Sequence, residues 1–283
     1  MAESPSSPLD SVVDTSTPWL SRIRVVLVGT SHPGNVGGAA RAMKTMGLSE
    51  LALVAPRCEP YTSEAVARAS GADGIIKAAQ QYDTLNEALA GTTWVVGCSA
   101  RSRTMPWPMI SPRRFSQRLA DEFTRAPSDA RIAIIFGRED TGLTNEELAH
   151  CNTHVHIPTS AEFGSLNLAA AVQIMVYESR QAWLAATDDA EATPIESQLD
   201  ATATLATAMD GVEWDNPFAD HSDVERLVEH FERTLTMTGF HDPEHPRLLI
   251  PRLRRLLLRA RLDSMETNIL RGILSSVDKL GKK

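Results

Sequence analysis

Cysteine is scarce in this chain of 283 residues: Cys58, Cys98 and Cys151 lie far apart, without a CxxC pair or metal-ligand spacing. That excludes a disulfide framework and leaves three buried or incidental thiols. The histidines gather only at His150, His154 and His156, where no cysteine or carboxylate completes a familiar ligand pattern, so no metal is expected. No apolar run approaches the roughly 20 residues that a membrane helix needs. The Ser/Pro/Asp-rich opening lacks the apolar centre of a signal peptide, and the expected location is the cytoplasm. A GxGxxG dinucleotide fingerprint is also missing. Lysine and arginine are absent from residues 181–220, which hold nine acidic residues. The formal net charge of −8 is therefore concentrated there, and the rest of the chain stands near +1. A local basic surface for nucleic acid remains compatible with that distribution.

What is present is a regular alternation. Short β-branched runs at Ile23–Val28, Leu51–Val54, Thr93–Val96, Ile132–Phe136 and Thr153–Ile157 predict strands buried on both faces of a parallel sheet. Helical stretches lie between them, around Val36–Met46, Ser63–Arg68, Leu85–Ala90, Pro112–Glu122, Asn145–Ala149 and Leu166–Ala186. Thr144 and Glu147 have the spacing of a capping box. The pattern predicts a flexible tail over 1–21, an α/β domain over 22–185, an acidic linker over 186–219 and a helical extension over 220–283. Three helices are expected in the extension. Ser222 and Glu225 would cap the first, Leu253, Leu256, Leu257 and Ala260 would line the second, and Met265, Ile269, Ile273 and Val277 the third.

Three segments place glycines and small polar residues directly beyond β-branched runs, where open α/β sheets build ligand sites. They are Ser31-His32-Pro33-Gly34-Asn35-Val36-Gly37-Gly38-Ala39-Ala40-Arg41, Ile135-Phe136-Gly137-Arg138-Glu139-Asp140-Thr141-Gly142-Leu143 and Ile157-Pro158-Thr159-Ser160-Ala161-Glu162-Phe163-Gly164-Ser165-Leu166-Asn167. Pro33-Gly34 reads as a sharp turn, and Gly37-Gly38 as backbone open to a ligand. Arg41, Lys44 and Thr45 share one helix face, with two cations near the helix end that favours anions. An anionic partner such as phosphate would offset that; a solvated surface arginine is the plainer reading. The charged triplet Arg138-Glu139-Asp140 is equally compatible with an ordinary tight turn, and Asn167 with a simple helix cap.

These segments, in this order, resemble the SPOUT superfamily of knotted RNA methyltransferases, the TrmH-like enzymes. Asn35 and Arg41 match its N-x-G-x-x-x-R motif, Glu139 the acidic position of G-R-E, and Ser165 and Asn167 the S-L-N motif. Ser99-Ala100-Arg101-Ser102-Arg103 with Pro106-Trp107-Pro108 narrows the likeness to bacterial tRNA 2'-O-methyltransferases acting at nucleotide 32 of the anticodon loop. The likeness covers roughly residues 22–185 and implies a carboxy-terminal trefoil knot, S-adenosyl-L-methionine as cofactor and a homodimer. It assigns Arg41, Asn35, Glu139, Ser165 and Asn167 to the reaction, with Glu139 orienting the Arg41 guanidinium or a substrate group. It implies a cofactor pocket of Cys98, Ser99, Ala100, Gly137, Ile157, Gly164, Ser165 and Leu166.

For the anticodon stem-loop the candidate contacts are Arg41, Lys44, Arg101, Arg103, Trp107, Arg113 and Arg114, joined by Arg252, Arg254, Arg255 and Arg259 in the densest cationic run, which ends at Arg261. A surface loop with Trp107 packed inward, and a merely solvated helix face, are the alternatives for those two groups. Methylation of cytidine or uridine 32 is the expected function. Another tRNA or rRNA nucleotide is the alternative, and a noncatalytic RNA-binding protein of this fold a more distant one.

Overall fold

A computed structural model describes residues 19–99, 109–126, 129, 131–160, 162, 164–187 and 216–280. The runs predicted as strands build a sheet of β1 (Ile23–Val28), β2 (Glu50–Val54), β4 (Thr92–Cys98), β6 (Arg131–Phe136) and β7 (Thr153–Val155). Two short edge strands, β3 (Gln80–Tyr82) and β5 (Met109–Ile110), complete the seven-stranded order β3-β2-β1-β6-β4-β7-β5, with every pairing parallel. Alternate residues of β1 divide between two cores: Ile23, Val25 and Leu27 face one side, and Val26 and Val28 the other. The first side is covered by α1 (Pro33–Met46), α2 (Ser63–Ala69), α3 (Asp73–Ala78), α5 (Pro112–Arg125) and α7 (Leu168–Ala186). The second is covered by α4 (Leu85–Leu89) and α6 (Asn145–Leu148). Thr144 and Glu147 form the expected capping box of α6.

The structure revises several local expectations. Pro33 opens α1 instead of forming a turn before it, since its fixed φ and missing N–H suit the first helical position. Gly37 and Gly38 serve packing and not a ligand. A Cβ on Gly37 would lie 2.1 Å from the Ala65 carbonyl oxygen of α2, and one on Gly38 would lie 2.8 Å from Ala169 Cβ of α7. Trp19 and Leu20, placed in the tail by composition, are buried; Trp19 packs 4.8 Å from the Phe123 ring.

The extension folds as α8 (His221–Met237), α9 (Leu249–Ala260) and α10 (Ser264–Leu280) around Leu227, Val228, Leu257, Leu258 and Leu274. Asp220, not Ser222, caps α8 by accepting from the Asp223 N–H at 2.7 Å. On α9 the buried pair is Leu257 and Leu258, and Leu256 is 50% exposed. Met265, Ile269 and Ile273 are 52%, 54% and 56% exposed, so the apolar stripe of α10 is its outer face. Periodicity identifies a helix face but not which side the neighbours take. Here Thr267 and Leu274 face inward, and Asp278 accepts hydrogen bonds from Thr234 and His230.

This helical unit docks at the amino-terminal end of the central strands. Arg261, its side chain 12% exposed, pairs with Glu122, donates to the Thr93 carbonyl and lies 4.3 Å from the Phe218 ring. Asn152, just before β7, donates to the Leu258 carbonyl at 3.3 Å. From Thr93 to Cys98 strand β4 advances about 17 Å, so the docking surface and the strand carboxyl ends lie at opposite ends of the strands.

Candidate active site

The carboxyl ends of β4 and β6, with the segment following β7, enclose a crevice of about 380 Å³, within the usual size of a small-molecule site. Its shape depends on the turn after β6. Arg138 N–H donates to the Gly142 carbonyl and Gly142 N–H donates back to Arg138, at 3.2 and 2.8 Å, closing a tight loop over Glu139, Asp140 and Thr141. Gly142 sits at φ +69°, and a Cβ on Gly137 would come within 2.2 Å of the Leu143 backbone nitrogen. The base of the loop is anchored by a bidentate pair, Arg138 Nη1 and Nη2 to the two carboxylate oxygens of Glu147 at 3.0 and 2.9 Å. Glu147 simultaneously caps α6, so helix and loop share one carboxylate.

A second chain of bonds ties the three glycine-bearing segments together. The Glu139 carboxylate accepts from the Ser31 backbone N–H at 3.1 Å, from Ser31 Oγ at 3.0 Å and from Asn35 Nδ2 at 2.9 Å. Asn35 Oδ1 in turn accepts from Asn167 Nδ2 at 2.9 Å, and Asn167 Oδ1 caps α7 through the Ala169 N–H at 2.9 Å. Asn167 is thus both a helix cap and a bridge. Burial pushes the Glu139 carboxyl up, but hydrogen bonds from Asn35, the backbone and Ser31 outweigh it and hold it below the ordinary value of 4.5. Glu139→Gln supplies one acceptor oxygen where these donors share two, and is expected to cost about 1 kcal/mol in denaturant unfolding. Because the folded-state value is depressed, the wild-type contribution is full above the unfolded value and fades as pH falls through the folded one. The variant should lack that part of the acid sensitivity.

Of the residues expected at the cofactor, Cys98, Ser99, Gly137, Ile157, Gly164, Ser165 and Leu166 line this crevice. Ala100 lies outside the described residues, as do Arg101, Arg103 and Trp107. Phe136, Thr159, Leu168 and Ala171 also line it and were not singled out from sequence. Phe136 and Thr159 fall within the quoted segments, but nothing in spacing separates a wall residue from its neighbours. Burial pushes the Cys98 thiol up, which makes it a neutral wall. The donor set fits a methyl donor of the S-adenosyl-L-methionine kind: apolar walls for a flat heterocycle, and Glu139 and Asp140 lining the same space to favour positive charge.

Arg41 stands apart. It is exposed on α1, is absent from the crevice lining, and forms no ion pair with Glu139 among the described residues, whose carboxylate is occupied by Ser31 and Asn35. The expected orienting role of Glu139 toward Arg41 is therefore not met within one chain. Lys44 donates to the Gly71 carbonyl at 2.7 Å, and Arg113 lies 3.8 Å from Glu178. Arg114 Nη1 is 3.5 Å from Gln117 Oε1. On α9, Arg252 and Arg259 are exposed and Arg255 half-buried, whereas Arg254 is bidentate to Glu225; Arg261, just past the helix, is taken into the docking surface.

Residues 22–177 match the model of the SpoU rRNA Methylase family, and residues 222–283 match that of the tRNA methyltransferase TrmJ, C-terminal domain. The tRNA (cytidine/uridine/adenosine-2'-O-)-methyltransferase TrmJ of Pseudomonas aeruginosa (strain UCBPP-PA14) is 50% identical over 263 residues, 93% of this chain and 96% of that protein. The chain belongs to the SpoU methylase family, in its TrmJ group. A TrmJ relative from Klebsiella pneumoniae (strain ATCC 700721 / MGH 78578), named a tRNA (cytidine/uridine-2'-O-)-methyltransferase, is 49% identical over 93% of this chain and 99% of that one. The crystal structure of TrmJ from Z. mobilis ZM4 superposes with a TM-score of 0.71 at 29% identity, covering 90% of this chain and 98% of the other. The parallel sheet and the following helical unit are thus those of the TrmJ group, and the chain is a methyltransferase.

Proposed function

We propose that this methyltransferase transfers a methyl group from S-adenosyl-L-methionine to the ribose 2'-hydroxyl of nucleotide 32 in the tRNA anticodon loop. The observation that carries the reading is the bonded set Glu139, Asn35 and Asn167 beside a crevice lined by Ser165 and the loop after β6. The cofactor supplies an already activated methyl on a sulfonium, so no leaving-group acid is required. The protein has to hold the hydroxyl in line and ease loss of its proton. Asn35 and Asn167 fix the mouth of the crevice, and Ser165 faces the acceptor. Arg41 binds the target phosphate and polarises the hydroxyl; a guanidinium with a pKa above 12 is a poor proton acceptor, so charge stabilisation is its main part.

The reading includes a homodimer, because Arg41 lies outside the crevice of its own chain and would complete that of a second copy. It also includes the trefoil knot, supported by the segment after β7 lining one crevice with Ser99 and the loop after β6. The docking of α8–α10 at the far end of the strands supports contact between Arg252, Arg255 and Arg259 and a part of the tRNA distant from the methylated ribose, or the crevice of the second subunit. Among the described residues no helix is long and apolar enough to cross a membrane, and a tRNA substrate fits a cytoplasmic enzyme. A relative named for adenosine as well as cytidine and uridine supports broad base tolerance, which ribose chemistry permits.

The test incubates the protein with isotopically labelled S-adenosyl-L-methionine and unmodified total tRNA, then maps the 2'-O-methylnucleotide by nuclease digestion and mass spectrometry. Label at nucleotide 32 is the expected outcome; label at another nucleotide would overturn the address but not the chemistry. Removing residues 216–283 should weaken tRNA binding about tenfold or more in a mobility-shift titration while cofactor affinity stays within about twofold, since those residues contribute no wall of the crevice. Unchanged tRNA affinity would reject an RNA-binding role for the extension.

A further inference from the structure

The fold assembles a set of ligand atoms that no stretch of sequence announces. His154 and His156, the histidines nearest His150, turn to the carbonyls of Leu148 and Ser99 at 3.0 and 3.3 Å. His150, just beyond α6, instead meets His221 and Glu225 of α8, and the three potential ligand atoms lie within 4.8 Å of one another. His150 Nδ1 is 3.6 Å from Glu225 Oε1, beyond a hydrogen bond.

Two details distinguish this group from a packed interface. His221 is only 4% exposed, and its Nε2 lies 3.2 Å from Asn86 Oδ1. An amide oxygen accepts, so Nε2 carries the proton and Nδ1 holds the lone pair. That Nδ1 is buried without a hydrogen-bond partner, and so is Nδ1 of His150. Unpaired buried nitrogens are costly, and outer-sphere orientation of an imidazole by an amide or carboxylate is what metal-ligating histidines commonly show. Arg254 fixes the Glu225 carboxylate by both oxygens, donating from Nε to Oε1 at 3.1 Å and from Nη2 to Oε2 at 2.8 Å, which leaves the remaining lone pairs for a further ligand.

We infer that His150, His221 and Glu225 bind one divalent transition-metal ion of the zinc class, which staples the α8–α10 unit to the methyltransferase body. Two imidazoles and one carboxylate leave a fourth position for water, reachable because the His150 side chain is 12% exposed. Tetrahedral bonds of about 2.0–2.1 Å set ligand atoms about 3.4 Å apart, so closure from the present spacing takes small side-chain rotations. The two imidazole donors favour the zinc class over magnesium or calcium, which require a shell of anionic and neutral oxygens. None of the three residues lines the methyl-transfer crevice.

The experiment uses the full, untagged chain stripped with chelator. ZnCl2 is titrated by calorimetry, and CoCl2 is followed by the visible d–d absorption that is intense only in four-coordinate cobalt. Expected are one ion per chain, four-coordinate cobalt bands, and a rise in Tm of roughly 5–10 °C at a zinc concentration about a hundred times Kd. His221→Ala and Glu225→Gln should each weaken binding at least about tenfold. His150→Ala, at the more exposed position, should do the same in a chain whose metal-free melting stays cooperative. Absence of saturable binding, or binding that His150→Ala and His221→Ala leave within about twofold of the parent, overturns the assignment.

Discussion

Arg41→Ala is expected to lower kcat by about 10²–10³-fold, the usual loss when one preorganised charge-stabilising donor is removed, while cofactor affinity stays within about twofold. The separation follows from position: Arg41 touches none of the crevice that would hold the cofactor, and its neighbours on α1 are packed independently of it. Single-turnover methyl transfer alongside calorimetry of S-adenosyl-L-methionine binding measures both quantities. Arg41→Lys should fall between parent and alanine variant, because an ammonium keeps the charge but not the planar fork that meets phosphate at two points. Ordinary turnover in Arg41→Ala would remove this residue from the reaction. A matching loss of cofactor affinity would instead place its effect on the pocket.

The central strands were legible because continuous β-branched runs buried on both faces are a strong signal, and β1 follows its predicted limits. The two strands that were missed are edges. Gln80–Tyr82 holds no apolar run at all, and Met109–Ile110 spans two residues, so both exist through pairing with a neighbour already in place. The orientation of α10 was hidden for a related reason: its Met/Ile stripe marks a face, but the packing of α8 selects the opposite face.

Much the same division holds at the site. Glycines beyond strand ends locate the crevice, since a chain that must turn sharply there has few other choices. The bonds among Glu139, Asn35 and Asn167 span more than a hundred residues and no local pattern encodes them. Nor could sequence separate Arg254 and Arg261, which are paired with carboxylates, from Arg252 and Arg259, which are exposed on the same cationic run. Charge density reports how many cations lie on a helix, not which are already neutralised.

Gly137→Ala should abolish measurable cofactor binding, a loss of more than about a hundredfold, because its added methyl has nowhere to go. The contacts at 2.1–2.4 Å are to the Gly142 carbonyl carbon and oxygen and the Leu143 nitrogen, all backbone, so no rotamer change relieves them. The loop must open, which breaks the paired bonds between Arg138 and Gly142 and moves Glu139 away from Ser31 and Asn35. Far-UV circular dichroism should stay close to the parent, since β6 and α6 end before and begin after the loop. Mixing this variant with Arg41→Ala then tests the proposed homodimer and its shared site. In a mixed dimer the Gly137→Ala subunit still offers Arg41, and the Arg41→Ala subunit still offers an intact crevice. If Arg41 acts across the interface, random exchange of subunits restores roughly a quarter of the parental sites. If Arg41 serves its own chain, every mixed site lacks one part and the mixture stays inactive.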